Sequence, residues 1–172
     1  LILIIFNQNH NILFMPKSHK QIKKNIQLKK KVLIEKIKSP KNGFTYSYDY
    51  TNLIDKSLID LINYIDPKDK EYCLIAVGGY GRSDVAPFSD IDLLFIYSKK
   101  NKDIKIFISK LNNALWDIGL EIGISFLTIN EALKDSKKEI KTLTKFLESR
   151  YLLGNRELYN EYLRNIKILT GR

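Results

Sequence analysis

Val77-Gly78-Gly79-Tyr80-Gly81-Arg82-Ser83-Asp84-Val85-Ala86-Pro87-Phe88-Ser89-Asp90-Ile91-Asp92-Leu93-Leu94 is the stretch on which the reading of this chain turns. Glycines at the end of an apolar run let the backbone turn with positive φ and leave bare N–H groups. Such groups can cradle phosphate oxygens that a side chain would shield. About ten residues on, Asp90 and Asp92 stand two apart at the head of a second apolar run. The two-residue period of a strand puts both carboxylates on one face, with Cα atoms ~6.6 Å apart. Two carboxylates on one face repel unless positive charge sits between them. Divalent ions ~3.5–4 Å apart supply that charge and clamp the attacking and leaving oxygens of an in-line displacement. Taken singly, an Asp-x-Asp before a strand is commonplace and a glycine pair after one is usually a turn. Joined at this spacing they predict a metal site facing a phosphate-binding turn.

Working outward, Cys73 to Val77 reads as a buried strand ended by Gly78-Gly79, and Ile91 to Tyr97 as a second. Leu120 to Thr128 is a third, with Ile122, Ile124 and Phe126 on one side and Glu121, Gly123 and Ser125 on the other. Ile104, Phe107, Ile108, Leu111, Leu115 and Ile118 share a helix face between the last two. Upstream, residues 17 to 38 form a lysine-rich, loosely amphipathic helix broken by Ser39-Pro40-Lys41-Asn42-Gly43. A second helix over 52 to 65 stops at Asp66-Pro67. Downstream, helices are predicted over about 138–153 and 156–169, with Gly154-Asn155 as the C-cap between them. Helices, then a small mixed sheet, then helices make an α+β fold.

Composition narrows the function. The chain has 172 residues, 44% of them hydrophobic, enough for a real core rather than a disordered tail. Its net charge of +10 invites a nucleic-acid reading. The lysines, however, are scattered among Ile and Asn, and the densest run, Lys29-Lys30-Lys31, lies on a helix beside Ile26, Leu28, Val32 and Leu33. That pattern is a solvated helix face, so no specific nucleic-acid partner is expected. The apolar start, Leu1 to Phe6, is too short to span a bilayer and lacks the flanks of a secretory signal. A single cysteine, Cys73, allows no internal disulfide and suits a cytoplasmic setting. The chain does not begin with Met, and Met15 precedes Pro-Lys-Ser. Residues 1–14 therefore read as an upstream extension, or the sequence as a fragment.

Gly-Gly, a gap of about ten, then Asp-x-Asp resembles the signature of the DNA polymerase beta nucleotidyltransferase superfamily. Within it, Ala-Val-Gly-Gly-Tyr-Gly-Arg followed by Ala-Pro-Phe-Ser-Asp-Ile-Asp-Leu-Leu-Phe is similar to the bacterial PII uridylyltransferase family. Leu115-Trp116-Asp117-Ile118-Gly119-Leu120-Glu121-Ile122-Gly123, Leu147-Glu148-Ser149-Arg150-Tyr151-Leu152-Leu153-Gly154 and Glu157-Leu158-Tyr159 agree with it too. The likeness runs from about residue 52 to about 167. Trp116 in such a block reads as core.

The resemblance implies a polymerase-beta-like fold, with an N-terminal, largely helical extension over 1–50. Residues 51–172 would be a nucleotidyltransferase domain running into the start of a helical region. It implies transfer of a uridylyl group from UTP to a tyrosine of the PII nitrogen-signalling protein, with release of pyrophosphate. On that pattern Gly78 and Gly79 hold the triphosphate, Asp90 and Asp92 ligate two magnesium ions (or manganese), and Ser89 shapes the loop. Arg82 is a phosphate contact by its bidentate geometry, and Glu121 a third metal ligand. The family's phosphohydrolase and regulatory domains do not fit in this chain.

Three departures stand beside this. No third carboxylate is plain. The family's Gly-His-Ser-Val-Arg is here Gly123-Ile124-Ser125-Phe126-Leu127, and its glycine after the Tyr-Gly-Arg turn is Ser83. Alternatives are a transferase acting on another protein, as an adenylyltransferase does, or a decayed module that only binds nucleotide or PII.

Overall fold

The computed structural model describes residues 19–36, 43–65, 71–86, 89–118 and 120–171. Its elements, in chain order, are α1 (His19–Lys36), α2 (Gly43–Ile65), β1 (Tyr72–Ala76), α3 (Gly78–Gly81), β2 (Ile91–Tyr97) and α4 (Lys102–Ile118). Then come β3 (Ile122–Leu127), α5 (Ile129–Lys138), α6 (Ile140–Leu147), β4 (Arg150–Gly154) and α7 (Arg156–Ile168). The four strands form one mixed sheet in the order β3-β2-β1-β4. β1 runs antiparallel to β2 and β4, whereas β2 and β3 are parallel. A parallel pair needs a crossover, and α4 supplies it.

Alternation along β1 and β2 builds two cores. Tyr72, Leu74 and Ala76 with Ile91, Leu93, Phe95 and Tyr97 face a layer of α1, α2 and α4. Cys73, Ile75 and Val77 with Leu94 and Ile96 face α5, α6 and α7. Both faces of the central strands are covered, which is why those segments read as continuous apolar runs. The first core includes Ile22 and Ile26 of α1 and Tyr46 and Tyr50 of α2, so the helical extension packs onto the same body as the sheet. Tyr72, Phe95 and Phe107 stack at its centre, with ring centroids 4.6 and 4.8 Å apart.

Several expectations need correction. The helix expected to run to 153 stops at Leu147, and Arg150–Gly154 is instead the edge strand β4. Apolar residues 151–153 suit either element, and hydrogen bonding to β1 selects the strand. Gly154, at φ +102°, is therefore a strand end and not a helix cap; a side chain there would collide with the Tyr72 carbonyl. Helix α5 was not foreseen, although Thr128 and Glu131 form a capping box that is legible in sequence. Gly43, assigned to a break, opens α2. The rest of that break, residues 39–42, lies outside the described residues, as do 17–18 and 37–38 of the first expected helix, the extension 1–14, Asp66-Pro67, Pro87-Phe88 and Gly119. Trp116 is 79% exposed, because Leu115 and Ile118 take the buried face of α4.

Candidate functional site

Asp92 is the second residue of β2 and shares parity with Leu94 and Ile96, so its side chain faces the α5–α7 layer. Asp90 precedes the strand by one residue, has the same parity and is exposed. The sheet brings two glycines to Asp92. Across the parallel ladder its register partner is Gly123 of β3. On the other side Val77 N–H donates to the Asp92 carbonyl at 3.1 Å, which sets Gly78 alongside. A Cβ on Gly78 would lie 3.5 Å from Asp92 Oδ2, and one on Gly123 would lie 3.0 Å from Oδ1. The carboxylate thus sits in a slot whose two walls carry no side chain. Gly78 also has φ +60°, the left-handed conformation that glycine adopts without strain.

The third wall was not anticipated. Lys145 Nζ of α6 donates to Asp92 Oδ1 at 2.7 Å, both side chains being about one-third exposed. Its neighbour Phe146 anchors α6 in the second core, and the buried Tyr162 hydroxyl donates to the Phe146 carbonyl at 2.9 Å. Asp92, Gly78, Lys141, Lys145 and Glu148 line a cleft of about 400 Å³. Nothing local in the sequence marks Lys145: it is one of 29 basic residues and lies 53 positions from its partner.

Asp90 opens onto an adjoining depression of about 420 Å³, with Trp116, Glu121 and Gly123. Asp90 and Asp92 therefore open onto different hollows, that of Asp90 bordered by α4 and that of Asp92 by α6, with Gly123 beside both carboxylates. Ile91 N–H donates to the Glu121 carbonyl at 2.9 Å, so the backbone at Glu121 runs beside Asp90. Even so, among the described residues no three His, Cys, Asp or Glu side chains converge as a metal cluster. Glu121 and Asp90 are both exposed.

The other expected binding residues surround the turn. Gly79 follows Gly78 in the single-turn helix α3, and its carbonyl accepts from Asp84 N–H at 3.0 Å. Arg82 is ion-paired to Glu148 on the rim of the cleft and half-exposed. Ser89 is exposed, and its N–H donates to Ala86 at 3.1 Å. Ser83 occupies the left-handed region at φ +62°. Gly81, not singled out from sequence, has no room for a side chain, because a Cβ would collide with the Glu148 carbonyl.

A partly buried polar cluster fixes this turn to the scaffold. The Tyr80 hydroxyl donates to Asp55 Oδ1 at 2.5 Å, and Arg150 binds Asp55 through two nitrogens at 2.6 and 3.1 Å. Arg150 also donates to the Tyr80 carbonyl at 3.3 Å. Burial, with the Asp55 carboxylate beside it, holds the Tyr80 hydroxyl well above the usual phenol range, so it remains a donor. Helix α2, the glycine turn and β4 are thereby tied at one point.

Residues 58–151 match the family described as "Nucleotidyltransferase domain". Similar proteins named "Bifunctional uridylyltransferase/uridylyl-removing enzyme" include one from Aromatoleum aromaticum, 43% identical over 58% of this chain and 12% of that protein. One from Azospirillum brasilense is 36% identical over 63% of this chain and 12% of its own length. Another, from Nitrosospira multiformis, is 30% identical over 91% of this chain and 18% of its own length. The chain thus spans less than a fifth of these relatives. A solved chain titled "Crystal structure of the toxin-antitoxin with AMP-PNP" is 16% identical with a TM-score of 0.40, covering 68% of this chain and 87% of that one. That likeness is too low to bear on function. Among the described residues no helix is long and apolar enough to cross a membrane.

Proposed function

This chain belongs to the nucleotidyltransferase domain family, and we propose that it moves a uridylyl group from UTP to a tyrosine hydroxyl of the PII nitrogen-signalling protein, releasing pyrophosphate. The observation that carries the reading is the Asp92 carboxylate, held between the bare backbones of Gly78 and Gly123 in an open cleft. The uridylyl specificity is carried by likeness to the uridylyltransferases.

The donors suit magnesium or manganese. Asp90 and Asp92 offer hard carboxylate oxygens, and two protein carboxylates with substrate phosphates and water are the usual magnesium arrangement. When bound, the metal ions neutralise charge on the triphosphate and on the departing pyrophosphate. The remaining work falls to the chain itself. The Gly78-Gly79 backbone lets the triphosphate approach closely, and Lys141 lends positive charge to the same cleft. Arg82 reaches phosphate by exchanging its Glu148 partner, and Ser89 shapes the loop before Asp90. The rigid turn holds these groups in place, so catalysis comes from positioning and preorganised charge. Glu121 becomes a third ligand only by swinging its exposed side chain inward.

The two β3 departures lie on opposite faces of the strand. Ile124, at the family's histidine position, packs into the α1–α2–α4 core on the face away from Asp92, and Leu127 packs against the other core. Ile124 leaves the carboxylate face unchanged, whereas Leu127 has the parity of Gly123 and puts an apolar side chain on the face of Asp92 where the family has arginine. The test is transfer of label from α-³²P-UTP to purified PII with magnesium. The Asp90→Asn/Asp92→Asn variant is expected to lose transfer by at least about a thousandfold. Undiminished labelling by that variant excludes the metal role, and labelling of a different protein in place of PII reassigns the acceptor.

A further inference from the structure

Lys145 holds the atom that a metal ion would need. Its ammonium lies 2.7 Å from Asp92 Oδ1, and its stem crosses Gly78, where a Cβ would meet Lys145 Cγ at 3.6 Å. Gly78 thus borders the carboxylate and the lysine together, and it is its φ of +60° that calls for glycine there. One turn earlier on α6, Lys141 lines the same cleft. An isolated pair this exposed adds little stability, so its place beside the candidate metal site is not accounted for by folding.

We propose that Lys145 is a placeholder cation: it neutralises and orients Asp92 before metal arrives, and yields Oδ1 to a divalent cation once triphosphate oxygens take over its ammonium. The inference rests on Asp92 being a metal ligand. An ammonium and a divalent cation cannot share one carboxylate oxygen without strong repulsion. A free cation therefore has to displace a charge that has nowhere better to go. A triphosphate in the Gly78–Lys141 cleft offers that destination, so nucleotide and metal bind cooperatively. Lysine suits the exchange because its ammonium is a point charge on a flexible stem, unlike the bidentate fork of arginine. Lys145 is thus a positioning residue that sets binding order.

The experiment measures Mn²⁺ affinity of the full chain by electron paramagnetic resonance of the free ion, with and without a non-hydrolysable UTP analogue. In the wild type the analogue is expected to tighten Mn²⁺ binding about tenfold or more, as is usual for coupled sites. Lys145→Met is expected to bind Mn²⁺ about tenfold more tightly without nucleotide and to lose most of that coupling. By reciprocity, Mn²⁺ then strengthens nucleotide binding by a smaller factor in the variant than in the wild type. Lys145→Gln serves as a second variant should the methionine disturb folding, as read by circular dichroism. Unchanged Mn²⁺ affinity and coupling in a folded Lys145 variant overturn the inference. Asp92→Asn separates the two readings: if it loses Mn²⁺ while the Lys145 variants behave as wild type, the metal site stands and only the placeholder role fails. If Asp92→Asn binds Mn²⁺ normally, both readings fail.

Discussion

Replacing Gly123 by alanine places one methyl group against the carboxylate on which the proposed chemistry depends. The new Cβ would stand 3.0 Å from Asp92 Oδ1, tighter than ordinary contact, so the carboxylate has to give by a few tenths of an ångström. The strand backbone cannot yield easily, because Asp92 and Gly123 are ladder partners within a continuous parallel register. The carboxylate is the softer element, and its displacement alters the Oδ1 contact with Lys145 Nζ, now at 2.7 Å. Misplacement by an ångström can cost a hundredfold in rate, so a smaller shift is expected to cost about tenfold, or ~1.4 kcal/mol of transition-state stabilisation. Stability moves the other way. Gly123 is exposed, its φ is not in the left-handed region, and alanine in a strand interior is favoured over glycine by roughly 0.5–1 kcal/mol. The thermal midpoint is then unchanged or raised by about 1–4 °C. The assay pairs initial rates of label transfer from α-³²P-UTP with a melting curve on the same preparation. A folded Gly123→Ala protein that transfers label at the wild-type rate refutes the claim that Asp92 geometry limits the reaction. A lowered melting point refutes the steric account, since the damage would then lie in the fold.

Two other outcomes follow from the same structure. Ser83→Gly removes a side chain from a residue at φ +62°, where an L-residue is strained by roughly 1–2 kcal/mol, partly offset by the greater freedom of glycine in the unfolded chain. A melting midpoint about 2–4 °C higher is expected, and a lower one contradicts the strain assignment. Burial of Cys73 pushes its thiol from an ordinary 9.0 to about 12, against a smaller opposing effect of the Ile96 backbone. Between those values the unfolded chain has released a proton that the folded one keeps. Stability is therefore full below pH 9 and falls as pH rises towards 12, by at most about 1.4 kcal/mol per unit. Cys73→Ala should flatten that slope in denaturant titrations at pH 8 to 10, before the buried Tyr80 and Tyr162, also raised, add their own losses. Thiolate absorbance appearing near pH 9 in the native protein is the contrary result.

Where neighbouring residues determine the outcome, the sequence was enough. The strand Ile91–Tyr97 and the helices carrying Ile104 to Ile118 and Ile54 to Ile62 follow from apolar periodicity, although α2 begins at Gly43, nine residues before the expected start at 52. The same alternation put Gly123 and Ser125 on one side of β3. Periodicity was mute where an apolar segment suits two elements. Residues 150–154 became a strand because β1 had an unpaired edge to offer, a fact residing in the sheet and not in the segment. It was also mute about Trp116, whose size suggests burial but whose helical phase turns it outward.

The sequence by itself determined the α+β class, the first three strands, the glycine turn and the spacing of the two aspartates, because each depends on contacts a few residues long. Only the tertiary structure decided what meets Asp92: Gly123 across the ladder, Gly78 beside it, and Lys145 from a helix 53 positions later. Those partners are chosen by how two cores clamp one sheet, with Tyr162 and Phe146 setting the helix that carries the lysine. Long-range packing, which leaves no period in the chain, is the physical reason they could not be read in advance.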